Sequence, residues 1–291
     1  MFSGFKKIRL QVNGIDINGV VGGSGPALLL LHGAPQSHFI WHKIANQLAE
    51  KFTVVATDLR GYGDSSKPQG WPDHGNYSKR VMAQDQVEVM QQLGFEHFFL
   101  VGHDRGARVA HRLAMDHPAR VDKLVVLDIA PTLAMYEQTS MDFAQAYYHW
   151  FFLIQAAPFP ETLIGADPEF YLRSNLGRRK AGLAPFTPPA LAEYIRCNSE
   201  PATIHGLCED YRASATIDLE HDRLDRDAQR KITCPLLALW GSEGVIERCF
   251  KPLDEWRRVA MNVTGHVLPC DHYIPEEVPE LLLAQLQSFL E

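Results

Sequence analysis

The chain has 291 residues, 46% hydrophobic and 22% charged, the make-up of a folded globular protein, which excludes a disordered, collagen-like or coiled-coil chain. A formal net charge of −7 gives neither nucleic acid nor an anionic membrane an electrostatic reason to bind. No apolar run is long enough to span a bilayer, Met1–Leu10 lacks the apolar stretch of a signal peptide, and the five scattered cysteines (Cys197, Cys208, Cys234, Cys249, Cys270) form no C-x-x-C pair, so reduced thiols and a cytoplasmic setting are expected.

In chain order, Ala27–Leu31 is a continuous apolar run ending in His32-Gly33, which suits a strand buried on both faces. Ser37–Glu50 reads as a helix, and Phe52–Ala56 as a second strand ending in Asp58-Leu59-Arg60-Gly61. Ala83, Val87 and Met90 fall on one helical face, and Gly94 supplies the stop. A strand over Phe98–Val101, a helix through Leu113 that ends before His117-Pro118, and a strand over Leu124–Leu127 follow. Strands alternating with helices predict a parallel sheet covered on both faces. The alternation stops after Asp128: residues 131–227 hold aromatic-rich helical material and proline-punctuated loops. It resumes with a strand at Pro235–Trp240, a helix at Pro252–Arg258, a short strand within Met261–Leu268 and a last amphipathic helix at Val278–Leu290. The expected organisation is therefore an α/β core of residues 1–130 and 228–291, interrupted by a helical cap of residues 131–227.

The most informative string is Gly102-His103-Asp104-Arg105-Gly106, between a predicted strand and a predicted helix. This is the context of a nucleophile elbow, whose central residue sits at a strained backbone angle between glycines that avoid clashes. Here the central residue is an aspartate. A carboxylate at that position can displace a leaving group from saturated carbon as an ester, which water then cleaves. The plainer alternative is a surface turn with an incidental Asp.

His32-Gly33-Ala34-Pro35, Asp58-Leu59-Arg60-Gly61-Tyr62-Gly63-Asp64-Ser65 and the elbow together resemble the α/β-hydrolase fold, in its branch with an aspartate nucleophile: haloalkane dehalogenases, epoxide hydrolases and fluoroacetate dehalogenases. The resemblance spans about residues 15–290 and implies a mostly parallel, doubly wound sheet with an inserted helical cap. Fold alone does not choose among these chemistries. The resemblance places the water-activating histidine at His272, after the last strand, with His266 a nearby rival. The third group that orients the imidazole is Asp128, at the end of a predicted strand, with Glu243 as the rival acid. Backbone N–H groups of Ala34 and Arg105 are the expected oxyanion hole.

Where haloalkane dehalogenases and most epoxide hydrolases carry tryptophan after the nucleophile, this sequence has Arg105, and Arg108 lies one helical turn from Asp104. Two permanent cations beside an attacking carboxylate make sense if the substrate is itself an anion, since the guanidinium fork matches a carboxylate. The alternative is that Arg105 pairs with a structural acid and Arg108 is an ordinary exposed residue. The H-D-R-G-x-R string is similar to fluoroacetate dehalogenases, and that resemblance implies a halide-binding trio at His149, Trp150 and Tyr211, the last within Asp210-Tyr211-Arg212-Ala213. Two departures stand out. Ala34 replaces a commonly bulkier residue, which bears on pocket width. Cys270-Asp271-His272-Tyr273 replaces a more usual Gly-His-Phe, which bears on the histidine loop.

The expected function is hydrolytic dehalogenation of a small anionic 2-haloacid, fluoroacetate favoured, without a metal or organic cofactor; the resemblance also implies a homodimer. The alternatives are an epoxide hydrolase using Tyr147, Tyr148, Tyr194 or Tyr211 as proton donors, and a non-catalytic ligand-binding protein on the same scaffold.

Overall fold

A computed structural model describes all residues, 1–291. Its centre is an eight-stranded sheet of β1 (Lys6–Val12), β2 (Ile15–Gly23), β3 (Ala27–Leu31), β4 (Thr53–Thr57), β5 (Phe98–His103), β6 (Val121–Leu127), β7 (Leu236–Gly241) and β8 (Val263–Leu268). The spatial order is β1-β2-β4-β3-β5-β6-β7-β8. β3 to β8 pair in parallel, whereas β1–β2 and β2–β4 are antiparallel. The N-terminal hairpin was not foreseen. Its turn is Asn13-Gly14, both at positive φ, the conformation a two-residue hairpin requires.

Side-chain alternation sends each central strand into two cores. Leu29, Leu31, Leu100, Leu124 and Val126 face one side, under the helices Lys79–Gln92 and Arg105–Asp116. Leu28, Leu30, Val101, Val125 and Leu127 face the other, against Trp41, Ile44 and the C-terminal helix Pro279–Leu290. Each fully buried leucine of this kind contributes about 1.5–3 kcal/mol. The helix expected over Ser37–Glu50 is instead a 3₁₀ segment, His38–Lys43, followed by a single α-turn, Ala45–Leu48.

Between β6 and β7 the chain forms helices only, from Thr132 to Asp227. Proline and capping residues punctuate them. Asp167 and Thr187 accept N–H bonds at the starts of Pro168–Gly177 and Pro188–Asn198, and proline occupies the first turn of each. Leu172, Leu176, Phe186, Ala190 and Tyr194 of this segment pack with Tyr273, tying it to the loop after β8. All five cysteines are free, and no helix is long and apolar enough to cross a membrane.

Candidate active site

Asp104 stands at the tip of β5, before the helix Arg105–Asp116, at φ 46° and ψ −114°. The glycines on either side permit this turn. A Cβ on Gly102 would lie 2.5 Å from the Ala107 Cα, and one on Gly106 would lie 2.4 Å from the His32 carbonyl oxygen. The strained aspartate is thus held by backbone packed too closely for any other residue.

The loop from Gly33 to Pro35 crosses in front of the elbow, and the Ala34 N–H donates to Asp104 Oδ1 at 3.1 Å. The Arg105 N–H makes no such bond. His272 presents Nε2 at 3.9 Å from Asp104 Oδ2, beyond direct hydrogen bonding, while its Nδ1 lies 2.6 Å from Asp128 Oδ2. Asp128 Oδ1 accepts the Gly241 N–H at 3.0 Å, which fixes the carboxylate at the β6 edge. Glu243 is elsewhere, 39% exposed in its side chain and paired with Lys180, and His266 lies exposed on β8. The unusual Cys270–Tyr273 loop is clamped by Glu277, whose carboxylate accepts the N–H groups of both Asp271 and Tyr273. His103 shares a hydrogen bond of 2.8 Å with the His272 carbonyl oxygen.

Burial would raise the Asp104 carboxyl, but His272, His103, Arg105 and Arg108 around it hold it down at about 2, so it stays an anion. Burial, reinforced by the Arg179 guanidinium, lowers His272 to about 4. Burial likewise raises Asp128. The pair holds one proton between Nδ1 and Oδ2, and Nε2 keeps a free lone pair toward Asp104.

Arg105 is fully buried and lies 4.1 Å over the Tyr211 ring. Its Nε and Nη2 donate to Asp210 at 3.0 and 2.7 Å, and Nη2 also reaches Ser214 Oγ. Lys79 and Tyr62 bond the same Asp210 carboxylate. Arg108 is 3% exposed and lies 4.6 Å over the Trp150 ring. It makes no ion pair: its partners are the Ala130 carbonyl, Thr132 Oγ1 and Met135 Sδ. Burial and the neighbouring Arg105 lower its pKa and the Asp104 carboxylate opposes them, so this desolvated cation has the elbow aspartate as an opposing charge but no bonded counter-ion. Arg105 Nη1 and Arg108 Nε have no partner at all.

A cavity of about 40 Å³ opens over the elbow, lined by Asp104, His272, Ala34, His149 and Tyr211 among the anticipated residues. Arg105, Arg108 and Trp150 do not line it; they stand behind its aromatic wall. Of the four tyrosines considered as proton donors, Tyr147 and Tyr211 border the cavity, Tyr148 is exposed, and Tyr194 donates to Glu276. Sequence reasoning missed Arg178 and Arg179, which also line the cavity, and missed Asp210 as the partner of Arg105. The Arg178-Arg179-Lys180 run was visible as a cluster of charge, but nothing local ties it to an elbow more than seventy residues away.

A strained aspartate at a strand-to-helix elbow, a histidine–aspartate pair at the carboxyl edge of a parallel sheet and a helical insertion above them are the arrangement of an α/β hydrolase with aspartate at the elbow. Residues 26–268 match the family model for the alpha/beta hydrolase fold, and the chain belongs to that family. Over its whole length it is 49% identical to a fluoroacetate dehalogenase from Burkholderia sp, 95% of which is covered. It is 36% identical to a soluble epoxide hydrolase from Corynebacterium sp. (strain C12), over 97% of this chain and 96% of that one. Among solved structures it is similar to an alpha/beta hydrolase from Nostoc sp PCC 7120, with a TM-score of 0.98, 60% identity, and coverage of 100% of this chain and 99% of that one.

Proposed function

We propose that the protein hydrolyses short 2-haloacids, with fluoroacetate as favoured substrate and glycolate and fluoride as products. The observation that carries this reading is Arg108, a buried cation one turn from Asp104 with no acidic partner, next to Arg105, each with an unpartnered N–H. Asp104 offsets this charge without bonding to it, and a buried charge that lacks a bonded partner costs several kcal/mol, on the order of 3–5, unless something else supplies one. A substrate carboxylate would do so.

In the first step an Asp104 oxygen attacks the α-carbon, the carbon–halogen bond breaks, and the halide leaves with its electron pair. His149 and Tyr211, which border the cavity, donate N–H and O–H to the departing ion, and the Trp150 N–H, behind Tyr211, joins them only when the aromatic wall shifts on substrate binding. In the second step His272 Nε2 takes a proton from water, and the hydroxide adds to the Asp104 ester carbonyl. The Ala34 N–H, already on Oδ1, stabilises the oxyanion, with the Arg105 N–H as second donor once the ester has formed. Collapse releases glycolate and the free carboxylate, and His272 passes its proton to solvent. Asp128 holds the imidazole throughout. Side chains and water suffice, so the scheme uses no metal or organic cofactor. In this reading residues 131–227 are a cap domain that closes the cavity over the core formed by 1–130 and 228–291.

Support for the substrate comes from the 49% identity to a fluoroacetate dehalogenase. Epoxide hydrolysis is the second reading, favoured by Tyr147 and Tyr211 both bordering the cavity. Purified protein incubated with fluoroacetate, chloroacetate and an aryl epoxide separates them. Halide and glycolate are the expected products; diol formation without halide release would overturn the haloacid assignment.

A further inference from the structure

His149 borders the cavity at the start of the short helix Tyr148–Phe152, and its Nδ1 lies 2.9 Å from Nη2 of Arg178. A guanidinium carries only N–H donors, so this ring nitrogen has to accept. In a neutral imidazole the proton then sits on the other nitrogen. Arg178 is well held for the purpose. It follows the helix Pro168–Gly177, its Nη1 donates to the Ala146 carbonyl at 2.7 Å, and it lies 5.3 Å over the Tyr148 ring. Arg179, His272 and Asp104 are the other charged or titratable groups that act on the ring, with Tyr147 and Tyr211 packed edge-on against it. Burial first, and the two arginines next, push His149 well below its ordinary value, so it does not take a second proton at neutral pH.

We infer that Arg178 is a positioning residue that locks His149 as the neutral Nε2–H tautomer, so that the ring offers the cavity a hydrogen-bond donor rather than a lone pair. What the donor acts on rests on the proposed function, where it binds the leaving halide; the tautomer itself does not depend on that reading. The sequence resemblance implies the histidine, but not the residue that fixes its proton.

The test is ¹⁵N–¹H correlation of the full-length protein, with His149 assigned by loss of its signals in His149→Gln. In the wild type Nε2 is expected to resonate as protonated and Nδ1 as bare, unchanged between about pH 5.5 and 8, a range that spans the ordinary histidine value. In Arg178→Met the two shifts should converge and titrate, and Arg178→Lys, which keeps a cationic donor, should restore them. Fluoride release by Arg178→Met should fall about tenfold in kcat, with a smaller loss on chloroacetate. A wild-type proton on Nδ1, or nitrogen shifts unmoved in Arg178→Met, would overturn the inference. Shifts that move while fluoride release stays unaltered would uphold the tautomer and overturn the halide-binding role of His149.

Discussion

Arg108 separates binding from folding. Its side chain donates to three neutral acceptors and to no carboxylate, whereas Arg105 is locked in a bidentate pair with Asp210. Replacing Arg108 by Met removes a desolvated cation and so relieves the penalty of about 3–5 kcal/mol that a buried charge without a bonded partner carries. Against this, the Ala130 carbonyl and Thr132 hydroxyl each lose a donor, about 1–3 kcal/mol apiece if they stay unsatisfied. The two effects offset each other, so Arg108→Met should change unfolding free energy by no more than about 1 kcal/mol. Arg105→Met should destabilise by about 3–5 kcal/mol, because it strips one cation from a buried carboxylate. On fluoroacetate both variants lose a charge-assisted contact of about 2–5 kcal/mol, a fall in kcat/KM of roughly 30- to 5,000-fold. Urea unfolding followed by far-UV circular dichroism, beside fluoride-electrode kinetics, reads both axes. If Arg108→Met unfolds as easily as Arg105→Met and still turns over fluoroacetate normally, Arg108 is a structural residue and the argument for an anionic substrate is lost.

His272→Asn should form the Asp104 ester and fail to cleave it, giving a covalent adduct by intact-protein mass spectrometry after fluoroacetate exposure; normal turnover without adduct would place the base elsewhere. Because His272 is lowered to about 4, first by burial and then by Arg179, its base form persists on acidification, and the acid limb of kcat should fall below the ordinary histidine value near 6.5. Arg179→Met removes a depressing cation, so the limb should move to higher pH; a downward shift would contradict that electrostatic role. Trp150→Phe keeps the ring under Arg108 but deletes the indole N–H, and it should slow defluorination far more than dechlorination. Equal losses on the two halides would mean that Trp150 only packs.

What could be read in advance follows the range of the physics involved. The strand Ala27–Leu31 has the same bounds in sequence and structure, because five consecutive leucine and alanine residues buried on both faces leave one option. The elbow was legible because its geometry demands glycines at fixed positions. The hairpin of β1 and β2 was overlooked although Asn13-Gly14 marks its turn, since β1 is an edge strand with mostly exposed side chains and no apolar run. Ser37–Glu50 carries a buried apolar stripe at helical spacing, Ile40, Trp41, Ile44, Ala45 and Leu48, which marks the face that packs but not the pitch, and its first half is a 3₁₀ segment. At the site, the elbow is legible in its local string and the family resemblance supplies the distant His272 and Asp128, which lie 2.6 Å apart, whereas Asp210, Arg178 and Arg179, brought to the site only by folding, carry no such signal.

Arg105 shows why that boundary matters for function. A cation beside the nucleophile is intelligible from the local string, but its orientation is set 105 residues later by Asp210, which takes two of its N–H groups, and by Tyr211, whose ring it covers. Lys79 and Tyr62, from the core, hold the same carboxylate. Elbow, core and helical insertion therefore meet at one buried charge cluster, in which Asp210 turns the guanidinium so that Nη1 alone is left without a partner. Without Asp210, burial would penalise the arginine as it penalises Arg108, and two unpaired cations would crowd one nucleophile. The aspartate of the insertion is what allows an arginine, in place of an uncharged tryptophan, to follow Asp104. Under the proposed function, recognition of an anionic substrate is thus shared between the helix after Asp104 and the helix Pro201–Ala215 that covers it.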